Sequence, residues 1–161
     1  MAIKLPLVIG TDGNLQQLQA GDTLNVPTAG ASTFGVVNNE VGAIVIGTPV
    51  YAQASGAVKK AMANAVGTAK VEGLMFDITT AAAGTGNMAT AGVLSATTAQ
   101  WDAVAGTTGG LAFNTTYFLS PTTAGLLTAT VPTTVGQLVV RVGRALSSTA
   151  MMIDIQDPIL L

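Results

Sequence analysis

The sequence predicts an all-β protein: a small β-barrel or β-sandwich, jelly-roll-like in its rhythm, with an extended N-terminal arm and one short helix. Three observations carry this. From Ala43 onward, short β-prone runs alternate with turn residues, the pattern of a barrel or sandwich. About one residue in seven is threonine, which suits the solvent-facing positions of strands. A single stretch, Thr97 to Gly106, carries the start and stop signals of a helix. The chain divides into an arm over residues 1–26, a linker or first strand over 27–42, and a β-domain over 43–161. Its 161 residues suit one domain, able to bury roughly two-thirds of its unfolded surface.

The arm is the least regular part. "TDGNLQQLQAGDTLNVP", Thr11 to Pro27, holds Leu15, Leu18 and Leu24 at spacings that fit neither a strand nor a helical face. Gly13 and Gly21 interrupt any regular element, and Pro27 disfavours helix at Val26. Its glutamines and asparagines can hydrogen-bond without the desolvation cost of a charge. The stretch cannot build a core alone, so it is expected to pack against something else.

The strands follow in order. Ala43–Ile46 is an apolar run that bends at Gly47 and continues over Pro49–Ala52. Lys59 to Ala65 has helix-compatible composition between Gly56 and Gly67, and reads as a strand or irregular loop. Val71 to Ile78 alternates, with Glu72, Leu74, Phe76 and Ile78 on one side and Val71, Gly73, Met75 and Asp77 on the other. Gly84-Thr85-Gly86-Asn87 reads as a turn. Thr115–Ser120 is a strand, Pro121–Gly125 a turn and Leu126–Thr130 the returning strand. In Gln137–Leu146, Leu138, Val140 and Val142 share a face; in Met151–Ile155, Met151, Ile153 and Ile155 point inward. For the helix, Thr97 and Gln100 form a capping box and Gly106 is the stop, which puts Trp101 and Val104 on the inner face. Trp101 is expected to be a lid over one open end of the sandwich.

Composition limits the chemistry. Charged residues are 9% of the chain, against about 25% in an ordinary soluble protein. Hydrophobic residues reach 49% but aromatics only 4%, so the apolar content is mostly small residues. The net charge of −2, without basic or acidic blocks, gives no footprint for nucleic acid or an anionic membrane. Mean hydropathy is +0.56, yet the apolar run Val41–Tyr51 is broken by Gly42, Gly47, Thr48 and Pro49, far short of the roughly 20 residues of a spanning helix. Met1–Gly10 lacks a convincing cleavage site, and the few aromatics cannot supply the girdles of a membrane barrel. A soluble chain made in the cytoplasm is expected, and one whose few surface charges favour self-association.

There is no histidine and no cysteine, which removes Ser-His and Cys-His nucleophile pairs, the usual zinc sites and disulfides. Glu72 and Asp77, five positions apart on one strand, point to opposite faces and make no acid/base pair. Asp12-Gly13-Asn14 with Asp22 lacks the ligand spacing of a calcium loop and reads as an Asx turn. Gly84-Thr85-Gly86 lacks the Gly-Lys-Ser/Thr of a phosphate loop. Asp154 and Asp157 read as a solvated strand end, Lys59-Lys60 as solvated lysines, and the Asn114-Thr115-Thr116 sequon has no secretion signal to give it meaning. No catalytic residue, metal site or cofactor is expected. Binding and scaffolding remain.

Several segments resemble one family. "TYFLSPTTAGLLTATVPTTVGQLVVRVGRALSSTAMMIDI" (Thr116–Ile155) is similar to a module of structural proteins of tailed bacteriophages. "DGNLQQLQAGDTL" looks like the N-terminal segment of phage fibre and head-decoration proteins, and "GTPVYAQASGAVKKAMANAVGTAKVEGL" (Gly47–Leu74) resembles capsid decoration domains. The resemblance implies a non-enzymatic decoration (cement) protein, a homotrimer on the capsid exterior that clamps neighbouring major capsid subunits. The alternative it leaves open is a short head-fibre or tail-fibre adaptor in host attachment. Under the first reading Leu15, Leu18 and Leu24 are the partner-binding residues, dropping into shallow pockets while the arm pairs at a sheet edge; the alternative is that Asn14 to Leu24 folds back as a strand and turn on its own domain.

Overall fold

The computed structural model describes residues 7–9, 15–17, 30–77 and 79–161. The protein is all-β. In chain order its elements are β1 (Leu7–Ile9), β2 (Leu15–Gln17), β3 (Ser32–Asn38), β4 (Ile44–Val45), β5 (Pro49–Ala52), β6 (Ala57–Lys60), α1 (Val66–Ala69), β7 (Gly73–Met75), β8 (Thr79–Thr80) and β9 (Thr85–Ser95). Then come α2 (Thr98–Ala105), β10 (Thr116–Leu119), β11 (Leu127–Thr128), β12 (Leu138–Val139), β13 (Arg141–Ala145), β14 (Ala150–Ile153) and β15 (Ile159–Leu160).

The main sheet closes on itself. β9 pairs with β3, β3 with β6, β6 with β5, β5 with β7, and β7 returns to β9. Only β3–β6 is parallel; the other pairings of this ring are antiparallel. A ring of five strands is narrow enough for side chains to fill. Val36, Val50, Val58, Met75 and Met88, one from each strand, meet inside it with Ile44 of β4. The small β4–β8 pair and the loops around Asn38 sit at one end of this barrel.

β9 is the hinge of the architecture. Its first part belongs to the barrel, while Gly92–Ser95 pairs with β14 and carries the sheet on through β13 and β10 to β11. Between the two parts the register with β3 shifts, so that Ser32 faces Ala91 and Thr33 faces Ala89. Such an extra residue bends a strand and increases its twist. Gly92 completes the bend with φ +91°, and a side chain there would strike the Gly30 carbonyl. A second core fills the space behind the barrel wall, built from Leu74, Leu94, Trp101, Tyr117, Val142 and Met151 among others. Ala61, Ala63 and Ala69 are wholly buried in it, which is how so few aromatics suffice.

In the segment read as a linker or first strand, 27–42, β3 supplies a strand, a stave of the barrel. Other expectations need correcting. Thr85 opens the longest strand rather than lying in a turn; the turn is at Ala81–Gly84, where Ala83 takes φ +56°. Gly73, Leu74 and Met75 are all buried, because Leu74 faces the second core while Met75 faces the barrel interior. There are two helices among the described residues, the first a single turn with no side-chain cap. Lys59 and Lys60 lie on β6.

The second helix forms as its sequence requires. Thr97 Oγ1 accepts from Gln100 N–H at 3.3 Å, and Gln100 Oε1 accepts from Thr97 N–H at 2.8 Å. Gly106, at φ +63°, donates its N–H to the Asp102 carbonyl and ends it. Trp101 and Val104 are its buried residues. The Trp101 ring has no exposed surface and its Nε1 donates to the Thr149 carbonyl at 3.1 Å. It is therefore a core residue of the second cluster rather than a lid, and a ring with no open face cannot stack on a ligand.

Candidate interaction surface

The carboxylates make structural contacts. Asp102 accepts from Thr107 Oγ1 at 2.8 Å, Gly109 N–H at 3.0 Å and Gly110 N–H at 2.8 Å, closing the loop that follows α2. The Gly110 N–H is the main reason its carboxyl sits below the ordinary value of 3.8, with Thr107 and Gly109 helping and desolvation opposing. A depressed folded-state pKa stabilises the fold above the unfolded value and loses that contribution as pH falls through the folded one. Asp102→Asn is thus expected to lower the melting temperature at neutral pH, and the gap from the parent should close below about pH 4. A gap of equal size at every pH would overturn this assignment.

Asp77 accepts from the Asn87 backbone N–H, and Asp154 pairs with Arg141 at 2.8 Å. Glu72 lies 3.8 Å from Lys70. Among the described residues no three His, Cys, Asp or Glu side chains gather where they could hold a metal, and no helix is long and apolar enough to cross a membrane.

What is conspicuous lies on the surface. Phe34 is 63% exposed, and Ser32, Thr33 and Gly35 beside it are exposed as well. On β9, Thr90, Ala91 and Gly92 are exposed, while Ala89 and Met88, opposite Thr33 and Phe34, are buried, so it is the β3 side of this ladder that is open. β3 also has an open edge, because β6 reaches only Val37 and Asn38. Asn38 N–H bonds to the Gly84 carbonyl on the β9 side, and Asn39 N–H to the Val58 carbonyl on the β6 side. Backbone groups alternate in direction along a strand. Thr33 and Gly35 therefore turn their N–H and C=O groups towards the side that no described strand occupies. A groove of about 450 Å³ adjoins this edge, lined by Gly35, Val36, Val37, Gly56, Asp77 and Asn87 among others. A second apolar surface lies at the β12–β15 ribbon, where Ile159 and Leu160 of β15 and Val135 of the loop before β12 are exposed.

Of the arm residues singled out in the sequence, Leu15 lies on β2, its backbone opposite Ile9 of β1. Leu18 and Leu24 lie outside the described residues. The open β3 edge was missed, and the signal that could have found it is "STFGVVN", a β-prone run without charge or proline. No family model, curated protein or solved structure matches this chain.

Proposed function

We propose that the protein is a non-enzymatic virion component of a tailed bacteriophage, a decoration protein that sits as a homotrimer on the capsid exterior and holds neighbouring major capsid subunits. The observation that supports it best is a compact β-domain whose exposed apolar and strand-edge surface carries almost no charge. Such a surface is poorly suited to an isolated chain and well suited to an assembly. The segments that resemble phage structural proteins point to which assembly. Leu15, Leu18 and Leu24 anchor the arm on neighbouring chains of the shell, and repetition of weak contacts over many copies gives lasting attachment.

The test is attachment. Changing Leu15, Leu18 and Leu24 together to Ser removes apolar anchors worth roughly 1.5 to 3 kcal/mol each when fully buried. Circular dichroism should stay that of the parent, and co-sedimentation with undecorated capsids should fall steeply. A chain lacking residues 11–26 should likewise fold and fail to attach. An unfolded truncated chain would place the arm in the core, and full capsid occupancy by the leucine variant would end the anchoring role. Parent protein that ignores capsids but binds host cells would favour the fibre-adaptor alternative.

A further inference from the structure

Residues Ser32–Val36 form a strand edge that carries neither charge nor proline, its one irregularity being the register shift at Ser32 and Thr33. Native edges are blunted by lysine, proline, an inward charge or a covering element. β3 has no charged residue and no proline, and among the described residues nothing covers its open side. Ser32, Thr33, Phe34 and Gly35 are all exposed, and Phe34 stands out from the strand. An acceptor of this kind takes an extended segment, whose backbone bonds to Thr33 and Gly35 while alternate side chains cover the face.

The same chain carries a matching donor. β1 and β2 pair with each other as a separate two-stranded sheet and do not join β3. A lone pair of strands is at best marginally stable in water and gains by joining a larger sheet. Its strands, "LVI" and "LQQ", are uncharged, so they meet the uncharged β3 edge without repulsion or desolvation of ions. Between Gln17 and Ser32 lie 14 residues (18 to 31), a tether that can span at most on the order of 50 Å. A tether of that length does not confine the ribbon to its own β3.

We infer that the β1–β2 ribbon of one copy adds to the β3 edge of a second copy of this chain. Donor and acceptor are different surfaces, so the contact is head-to-tail and repeats around a ring that closes when the rotation permits. The inference rests on the self-association in the proposed function, and not on the capsid.

The chain has no cysteine, which makes cross-linking clean. A chain with both Gln16→Cys and Thr33→Cys, treated with a short bismaleimide, should give a ladder of covalent multimers in denaturing gels. Co-refolded single variants, one with Gln16→Cys and one with Thr33→Cys, should give cross-linked pairs well above either variant alone. A link formed only within one chain, or no link at all, overturns the exchange. Thr33→Lys places a charge on an exposed edge position without touching either core; it should leave circular dichroism unchanged and reduce the oligomer to monomer by light scattering. An oligomer untouched by Thr33→Lys also overturns it. A parent protein that is itself monomeric defeats self-association altogether, whereas an oligomer without the cross-link defeats only this interface.

Discussion

Trp101→Ala is expected to cost about 3–5 kcal/mol of folding stability, the range for deleting a large buried aromatic. Two losses add. The cavity left in the second core is bordered by β-sheet and by α2, neither of which can collapse freely, and the Thr149 carbonyl loses the donor 3.1 Å away. Trp101→Phe, which keeps much of the ring and drops the N–H, should cost much less. Gly47 offers an independent check from the other side of the contact. It holds φ +81°, and a Cβ there would lie 2.8 Å from the Trp101 ring, so Gly47→Ala should also destabilise. Denaturant titration reads all three. Equal stability of Trp101→Ala and the parent would mean that the ring is not the packed centre described here.

The helix containing that tryptophan was fully legible in the sequence, because capping box and stop glycine are local chemistry that needs no tertiary partner. The C-terminal strands were legible for a similar reason. Leu138, Val140 and Val142 are buried and alternate with half-buried Val139 and Arg141, although Gln137–Leu146, read as one strand, divides into β12 and β13 of two different sheets. β7 defeated the same logic: it stands between two cores, so both of its faces are buried and alternation loses its meaning. β9 was hidden differently. "TGNMATAGVLS" has two glycines and two alanines, and its strand character comes from being paired on both sides. Tertiary context decided it, as it commonly does for strands.

The candidate surface was legible only in outline. Low charge pointed to an assembly, and the irregular leucines pointed to the arm. An open edge, however, is a property of what fails to pair with β3 beyond Val37, and register is not written in local composition. Phe34, one of four phenylalanines in the chain, sits on that edge and carried no sequence mark distinguishing it from a core residue.

At neutral pH, Asn38→Asp is expected to destabilise the fold by roughly 3 kcal/mol or more, the scale of an uncompensated buried charge. Asn38 is buried at the barrel end. Its Nδ2 donates to the carbonyls of Gly42, Thr80 and Ala81, each at 3.0 Å, and its Oδ1 accepts from Glu40 N–H at 2.8 Å. Two hydrogens serve three carbonyls, so one is shared. The side chain thus ties the loop after β3 to the strand end at β8, closing the barrel below Ile44. An aspartate would aim a carboxylate at those three oxygens, which raises its folded-state pKa above the unfolded value near 3.9. A raised pKa means that the deficit is smallest below the unfolded pKa and grows as pH rises through the folded one. The pH profile should therefore run opposite to that of Asp102, on the same protein, measured by the same thermal melts. Asn38→Leu separates charge from lost hydrogen bonds: it should cost about 1–3 kcal/mol, with no pH dependence of its own. If Asn38→Asp and Asn38→Leu are equally stable at pH 7, the carbonyl cluster has admitted water, and the side chain does not seal the barrel.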